Sequence, residues 1–239
     1  MRKAFFIFVI SASVLIFFRM DTVLATTVFT DTFTETGVAD VNLVSHTPDA
    51  GTSWTEVIDN DGSNDAVVSW INDNLNDGTC GANEGIGYIA NATYDSTDYY
   101  VELTNSTGEA GDDWLWIGVR VDSSGFGYWA QFTADATQIY KNESVGGWQA
   151  IGTAGAGIAG GSVVKFEAVG STITLYDDGV ANKSVSDADI TSANQAAIGF
   201  GDLTNNGTDD CGSGVYDSLS VVTSPAAATS PFPLTPQVF

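Results

Sequence analysis

The amino-acid sequence predicts an antiparallel all-β domain. Short runs of alternating or β-rich residues recur along the chain, and residues that favour turns separate them. No window of about eleven residues carries the apolar stripe of an amphipathic helix, and Thr, Gly, Asn and Asp are too abundant for long helices. Four of the five prolines follow Ser224, so the domain proper is expected to end near Thr223.

Residues 1–25 have the order of a secretory signal peptide. Two basic residues precede the apolar run from Ala4 to Phe18, and small side chains end the segment at Val23-Leu24-Ala25. The run is shorter than the ~20 residues of a membrane-spanning helix, so an uncleaved anchor is the lesser alternative. We expect a secreted or cell-surface protein with one domain over residues 26–223 and a Pro-rich flexible tail or linker over residues 224–239.

Acidic side chains outnumber basic ones severalfold. Removing residues 1–25 takes away three of the seven basic and one of the thirty acidic residues, which changes the formal net charge from −23 to −25. Such a surface repels nucleic acid. Most of the acids are Asp in clusters with Asn and Gly, a composition typical of turns, although a saline habitat or Ca²⁺ binding would also suit it. Cys80 and Cys211, both in Gly-rich segments, predict a disulfide bond.

The strands follow one another at short spacing. Two alternating strands flank Gly170-Ser171, a dipeptide typical of a two-residue hairpin turn, and a second turn at Asp178-Gly179 begins a further strand. Thr36–Ile58 has no clear pattern. The predicted strands are Val28–Thr34, Ala66–Ile71, Gly87–Asn91, Tyr99–Thr104, Trp114–Val121, Phe126–Thr133, Thr137–Lys141, Val163–Val169, Thr172–Tyr176, Val180–Val185, Ala196–Gly201 and Val215–Val222.

The strand Trp114–Val121 separates into two chemically different faces. One face is aliphatic, and the other combines aromatic rings, a glycine and an arginine. Proteins commonly hold a sugar in this way, because rings lie against its apolar C–H face while a planar guanidinium donates to hydroxyls. The core face contains Leu115, Ile117, Val119 and Val121, and the outer face contains Trp114, Trp116, Gly118 and Arg120.

The next strand, Phe126–Thr133, extends the candidate binding surface. A short connection makes it a hairpin neighbour, and alternation places Trp129 and Gln131 beside the outer tryptophans if Phe126, Tyr128, Ala130 and Phe132 face the core. Tyr140 and Trp148 would enlarge the surface, and Tyr100 and Glu102 are candidate binding residues that face outward from the strand Tyr99–Thr104. Aromatic rings covered by loops, or a contact with another protein, are the alternatives.

Four motifs resemble the concanavalin A-like lectin/glucanase superfamily, and especially its laminin-G-like and secreted carbohydrate-binding branches. The resemblance spans roughly Val28 to Val222 and implies a jelly-roll sandwich of two antiparallel sheets, whose concave outer face often holds glycans. It also implies a structural Ca²⁺ between the first and last strands, with Asp31 and Asp217 as ligands, unless both are solvated. The motifs are Thr30-Asp31-Thr32-Phe33, Leu175-Tyr176-Asp177-Asp178-Gly179, Ala197-Ile198-Gly199-Phe200 and Val215-Tyr216-Asp217-Ser218-Leu219-Ser220-Val221.

No catalytic group is evident. Enzymes of this superfamily carry Glu-x-Asp-x-x-Glu or Glu-x-Asp-x-Glu on one strand, and neither pattern occurs. Retaining hydrolysis needs two carboxyl groups about 5 to 5.5 Å apart, and Glu102 has no partner on its own strand. Glu167 faces outward beside Lys165 and is interpreted as a surface residue. His46, the sole histidine, lies beside a proline with no nucleophile motif elsewhere and is interpreted as a turn residue.

The sequence therefore predicts a lectin-like domain that binds a glycan without catalysis. The first alternative is a structural or adhesive subunit of an extracellular coat, fibre or matrix, which would self-associate or bind other matrix proteins. The second is a glycoside hydrolase or lyase. Where a glycosylation machinery exists, the candidate acceptors in Asn-x-Ser/Thr sequons are Asn91, Asn105, Asn142, Asn182 and Asn206.

Overall fold

A computed structural model describes residues 25–35, 41–59, 67–69, 74–76, 85–92, 94, 96–107, 113–144, 147–192, 195–202 and 215–223. Most of the predicted signal segment, the C-terminal tail, Cys80, Cys211 and Asn206 lie outside the described residues. The described part is made of strands with one short 3-10 turn, which confirms the predicted all-β class. Within it, no helix is long and apolar enough to cross a membrane.

The described strands, in chain order, are short to medium in length. They are β1 (Thr26–Asp31), β2 (Val41–Asn42), β3 (Ser53–Asp59), β4 (Val67–Ser69), β5 (Asn74–Asn76), β6 (Gly85–Asn91), β7 (Tyr99–Thr107), β8 (Asp113–Val121), β9 (Gly127–Phe132), β10 (Ala136–Asn142), β11 (Trp148–Ala156), β12 (Val163–Val169), β13 (Thr172–Asp177), β14 (Val180–Ser186), β15 (Gln195–Asp202) and β16 (Val215–Thr223), and the 3-10 turn is Leu43–Ser45.

The strands form two antiparallel sheets. The described part of one sheet has nine strands in the order β14-β13-β12-β7-β16-β5-β4-β2, with β1 also paired to β16. The described part of the other has seven strands in the order β11-β10-β9-β8-β15-β6-β3. The first and last strands pair directly, with Asp31 opposite Leu219, as the resemblance implied. This is the two-sheet antiparallel sandwich that the sequence predicts.

The main core lies between the sheets and is made by the inward side of each alternating strand. On β7, Tyr99, Val101 and Leu103 are buried, whereas Tyr100 and Glu102 are half-buried on the outer side. On β9, the inward set is Tyr128, Ala130 and Phe132, as predicted.

Tyr216 joins the two sheets through the core. It belongs to β16 of the nine-stranded sheet, is fully buried, and reaches the backbone of β8 and β15 in the seven-stranded sheet. Its hydroxyl accepts a hydrogen bond from the Trp116 amide at 3.1 Å. It lies 2.9 Å from the Gly199 carbonyl oxygen and 3.1 Å from that of Trp116, to either of which it donates. The nine-stranded sheet thereby fixes the strand that carries Trp116.

The hairpin prediction is confirmed in register as well as in place. Val169 pairs with Thr172 across the Gly170-Ser171 turn, and Gly170 has φ of 55°. The next turn has φ of 47° at Asp178 and 77° at Gly179, so both central residues are left-handed, as a tight β14 hairpin requires. Four strands were not predicted: β2 and β3 lie in or at the end of a segment without clear alternation, β5 has only three residues, and β11 is built largely of Gly, Ala and Thr.

Candidate functional site

An aromatic cluster occupies the outer face of the seven-stranded sheet. It consists of Trp116 from β8, Trp129 from β9, Tyr140 from β10 and Trp148 from β11, four strands that are adjacent in the sheet. Trp129 is directly opposite Tyr140, and Trp116 is directly opposite Gln131. The structure therefore brings together the residues that strand alternation and the predicted hairpin had placed side by side.

The rings of the aromatic cluster meet edge to face. The centroids of Trp116 and Trp148 are 4.7 Å apart with an interplanar angle of 79°. Trp129 lies 6.0 Å from Trp116 and 6.0 Å from Trp148, and Tyr140 lies 6.2 Å from Trp148 at 81°. Such T-shaped contacts are favourable because the positive edge of one ring meets the negative face of the next. The cluster forms steep walls and not a flat platform.

Trp129 is the base of the cluster. Its ring has no exposed surface, and its Nε1 donates to the Gly125 carbonyl oxygen at 3.1 Å. Gly118, on the neighbouring strand, makes room for it, since a Cβ at that position would lie 3.1 Å from Trp129 Cε3 and 2.8 Å from Val121 Cγ2. Stacking of a sugar directly on Trp129, as the sequence led us to expect, is wrong for this structure, because the ring is covered.

The β8–β9 turn provides much of that cover. A Cβ on Gly125 would lie 3.0 Å from Ile58 Cγ1 and 3.2 Å from the Val57 carbonyl oxygen, both on β3. Two strands, β15 and β6, separate β8 from β3 in the sheet. The turn therefore folds back over the outer face, and a second hydrophobic cluster forms there around Trp129. This contribution of β3 was not predicted, because Thr36–Ile58 has no clear strand pattern.

A pocket of about 250 Å³ opens beside the cluster, lined by Trp116, Gln131, Tyr140 and Trp148. No lining side chain is formally charged, and burial raises the pKa of the Tyr140 hydroxyl, so it stays neutral at ordinary pH. Trp116 Nε1 and Gln131 Oε1 are buried without a hydrogen-bond partner in the described structure. One is a donor and the other an acceptor, and they come from a directly opposed pair of residues.

Two further buried oxygens on the same face have no partner in the described structure. They are Oδ1 of Asn142, next to Trp148 in the sheet register, and Oε1 of Gln195, opposite Val121. Buried polar atoms are nearly always paired, and the nine-stranded sheet has such unpaired atoms as well, on Asn105 and Asp177, so those on this face indicate places for ordered water. Trp114 lies on this same face and is half-buried, outside the pocket lining.

The predicted outward orientation of Arg120 is wrong. Arg120 has φ of 54°, and the pairing of β8 with β15 shifts register beside it, so the alternation of side chains breaks there. Val121 consequently joins the cluster face in place of Arg120. The Arg120 guanidinium is 1% exposed and donates to Thr97 O at 3.0 Å and to Ile190 O at 3.2 Å, with Asp98 Oδ1 at 3.1 Å. It ties loops together and does not face the pocket.

Tyr100 and Glu102 lie on the opposite side of the sandwich, on the outer face of the nine-stranded sheet. Lys165 is the direct cross-strand neighbour of Glu102, and its Nζ is 5.1 Å from the Tyr100 ring centroid and 3.9 Å from that of Tyr176. Glu167 accepts a hydrogen bond from the Tyr176 hydroxyl at 2.9 Å. The predicted grouping of Tyr100 and Glu102 with the tryptophans is therefore wrong in space, because the two sets belong to different sheets.

The Asp31 carboxylate is occupied by protein donors. Its Oδ1 accepts from the Phe33 amide at 2.8 Å and lies 2.9 Å from His46 Nε2, and its Oδ2 accepts from Trp54 Nε1 at 2.7 Å. The other ring nitrogen of His46 is 2.6 Å from Glu35 Oε1. Burial lowers the pKa of His46, but the hydrogen bonds and charges of Asp31 and Glu35 outweigh that effect and raise it overall.

This arrangement does not fit the Ca²⁺ expected at Asp31 and Asp217. Calcium needs six or more oxygen ligands, whereas two N–H groups use the Asp31 oxygens and the His46 imidazole stands against one of them. Asp217 is half-buried where the β16–β7 register shifts. In the described ranges, no three His, Cys, Asp or Glu side chains are grouped to hold a metal. His46 does cap the 3-10 turn, as expected of a turn residue, but it is also the buried centre of a carboxylate pair.

Two of the predicted glycosylation acceptors are wrong for the folded domain, because their side chains are buried. Asn105 has no exposed surface, and Asn142 is 5% exposed. Asn91 donates to Ser53 Oγ at 2.9 Å, and Asn182 donates to the Ala156 carbonyl oxygen at 3.1 Å, so the structure uses both amides internally.

All four basic residues after residue 25 are at least partly buried. Arg120 lies in the loop contacts described above, and Lys165 is half-buried between two tyrosine rings. Lys141 is 6% exposed and pairs with Asp189 and Asp187, and Lys183 is 8% exposed. The hydrogen bond to Asp189 is the main reason that the pKa of Lys141 is raised. The exterior of the described domain consequently presents acids with almost no compensating cations.

Comparisons with known proteins address the fold. No protein-family model matches the chain, and no curated protein matches it. Solved structures do match: the endo-β-1,3-glucanase of Pyrococcus furiosus has a TM-score of 0.53 at 11% identity over 85% of this chain and 96% of that one. The fold is the concanavalin A-like jelly roll.

Other solved structures share this jelly roll. A LamA variant from Z. galactanivorans, in complex with laminaritriose and laminaritetraose, has a TM-score of 0.51 at 11% identity over 83% of this chain and 99% of that one. The metal-free carbohydrate recognition domain of Emp46p has a TM-score of 0.51 at 12% identity over 76% of this chain and 94% of that one. Identities this low establish a common fold and leave function to the site itself.

Proposed function

We propose that this protein is a secreted carbohydrate-binding protein that holds a neutral glycan, without catalysis, in the pocket beside the aromatic cluster. The observation that carries the proposal is the pocket lining, in which aromatic residues from three strands stand beside the polar side chain of Gln131. Rings supply faces for the apolar C–H surface of a sugar, and the polar ends of Gln131 and Tyr140 can form hydrogen bonds with its hydroxyls.

The charge distribution selects neutral ligands. No described residue that lines the pocket is charged, and the charged side chains of the domain are mostly acidic, so uronates and sulfated chains meet repulsion as they approach. A neutral glycan meets no electrostatic repulsion as it approaches this surface. Solved structures with the same jelly roll include one that holds laminarin oligosaccharides, which makes β-glucans a reasonable first member of a test panel.

The noncatalytic part of the proposal follows from the carboxylates. Among the described residues that line the pocket there is no Asp, Glu or His. Glu102 faces Lys165 on the other sheet. Calcium forms no part of the proposal, because the Asp31 oxygens already accept protein hydrogen bonds.

Retention on immobilised polysaccharides tests the proposal. We expect the native protein to be retained by at least one neutral polysaccharide and not by a uronate polymer. Trp148→Ala removes a half-buried wall of the pocket from an edge strand and should weaken binding about tenfold or more. Tyr100→Ala, an aromatic change on the opposite sheet, is the matched control and should bind as the native protein does.

The opposite results are equally clear. Equal retention of Trp148→Ala and native protein would exclude this pocket, and failure to bind any neutral glycan would exclude the function. Release of reducing ends from a bound glycan, lost in Glu102→Gln, would contradict the noncatalytic assignment and favour a hydrolase.

A further inference from the structure

The polar groups that the pocket offers to a ligand are mainly hydrogen-bond donors. Trp148 Nε1 and Gln131 Nε2 only donate, and the Tyr140 hydroxyl donates as well as accepts. In the described structure none of these three groups has a hydrogen-bond partner, and none is fully enclosed, unlike Trp116 Nε1 and Gln131 Oε1. A ligand in this pocket therefore needs acceptors more than donors, together with apolar groups for the ring faces.

A proline-rich peptide has this chemistry. Proline supplies a carbonyl acceptor without an amide N–H, and it favours the polyproline II helix, which has no internal hydrogen bonds. Grooves lined by aromatic residues commonly receive such segments, because the helix is formed in advance and binding costs little entropy. The chain itself contains one beyond the described residues, since residues 231–236 read Pro-Phe-Pro-Leu-Thr-Pro.

The charge of the tail also suits the pocket. Residues 218–239 contain no Asp, Glu, Lys or Arg, in a chain whose formal net charge is −23. The acidic domain therefore does not repel its own tail as it would an acidic peptide, and the described residues that line the pocket are uncharged as well.

The tail is long enough to reach the pocket from the end of β16. Thr223 is directly opposite Tyr99, whose hydroxyl accepts a hydrogen bond from the Arg120 amide, so the tail begins level with the Arg120 end of β8. From there the path crosses one sandwich thickness, about three strand spacings and about four residues of β8, which add up to roughly 40 Å. A polyproline II segment over residues 224–236 spans about 40 Å at about 3.1 Å per residue.

We propose that residues 231–236 dock in the pocket beside the aromatic cluster as a polyproline II helix. The proline rings and Phe232 pack against Trp148 and Tyr140, and backbone carbonyls of the segment accept from Trp148 Nε1 and the Tyr140 hydroxyl. A docked tail and a glycan exclude one another, so the tail limits access to the pocket. The inference depends on the pocket and the tail, and it does not require that a glycan binds.

A synthetic peptide of residues 224–239, titrated calorimetrically into the whole chain, tests the inference. The tail variant Pro231→Ala/Pro233→Ala/Pro236→Ala keeps the length and charge of the tail but restores three N–H groups, which should free the pocket. We expect the peptide to bind the tail variant with a Kd of about 0.1 mM. Binding to the native chain should be about tenfold weaker, because the tethered tail competes at an effective concentration of about 1 mM.

Pocket substitutions in the tail variant identify the docking site. Trp148→Ala should weaken binding of the peptide about tenfold or more, and Tyr140→Phe, which keeps the ring and removes one donor, about threefold to tenfold. Tyr100→Phe removes the same atom from the outer face of the other sheet and should leave binding unchanged. Thermal unfolding of each variant shows whether the domain remains folded.

Three results would overturn the inference. Equal binding of the peptide by the native chain and the tail variant would show that the chain's own tail does not occupy the pocket. Undiminished binding in both Trp148→Ala and Tyr140→Phe would place the tail elsewhere. Binding of an unrelated proline-rich peptide without binding of the tail peptide would assign the pocket to another protein. Failure to bind any glycan would overturn the proposed function and leave tail docking intact.

Discussion

Removing the Tyr216 hydroxyl tests how the nine-stranded sheet positions the outer face of the seven-stranded sheet. In Tyr216→Phe the ring stays in the core and only the hydroxyl is lost. The Trp116 amide loses its acceptor at 3.1 Å, and the Gly199 and Trp116 carbonyl oxygens lose the hydroxyl at 2.9 and 3.1 Å. A net hydrogen bond contributes about 1 kcal/mol and an unpaired buried group costs about 1–3 kcal/mol, so we expect destabilisation of about 2–4 kcal/mol.

Urea unfolding followed by tryptophan fluorescence measures this change. In a domain of this size 1 kcal/mol corresponds to about 2–4 °C, so the midpoint of thermal unfolding should fall by roughly 5–15 °C. Tyr176→Phe is the control, because the Tyr176 hydroxyl pairs with Glu167 on the half-exposed outer face and should contribute about 1 kcal/mol or less. If the two variants lost equal stability, the hydroxyl of Tyr216 would not be a link between the sheets.

Two further predictions concern packing and pH. Gly118→Ala should destabilise the domain by about 1–3 kcal/mol and weaken glycan binding, since its Cβ would lie within 3.1 Å of Trp129, whereas Gly85→Ala, whose nearest neighbour is at 3.4 Å, should change little in either assay. Because the pKa of His46 is raised in the folded protein, its contribution to stability is fully present below the unfolded pKa of 6.5 and is lost as pH rises through the folded pKa. The native urea midpoint should fall over that range, and a fall of the same size in His46→Gln would show that another group is responsible.

The fold was predictable wherever the chain alternates strictly. The β12–β13–β14 hairpins follow from period-two patterning and two dipeptide turns, and each was found in register. Strand β11 was not predictable, because a run of Gly, Ala and Thr has no hydrophobic period and its pairing with β10 depends on the sheet already present. Tertiary context supplies what local propensity lacks there.

The candidate site was predictable in part for the same reason. Alternation correctly grouped Trp116, Trp129 and Gln131, because no irregularity interrupts β9 or the first half of β8. Alternation failed at Arg120, because the positive φ of this one residue moves it and Val121 to the faces opposite those predicted. No local feature of the sequence indicates this positive φ. Cover over the aromatic rings was one of the predicted alternatives, but its source in β3, which lies against the β8–β9 turn, was not predicted.

The low exposure of the four basic side chains has a colloidal consequence. Two copies of the domain that approach one another bring acidic side chains together in almost every orientation. The basic side chains are too little exposed to form a cationic patch that would attract the other copy. The resulting repulsion extends over about 30 Å in dilute buffer and about 8 Å at physiological ionic strength. An uncharged polymer does not repel the domain in this way. Copies of the domain can therefore approach such a polymer even though they repel one another.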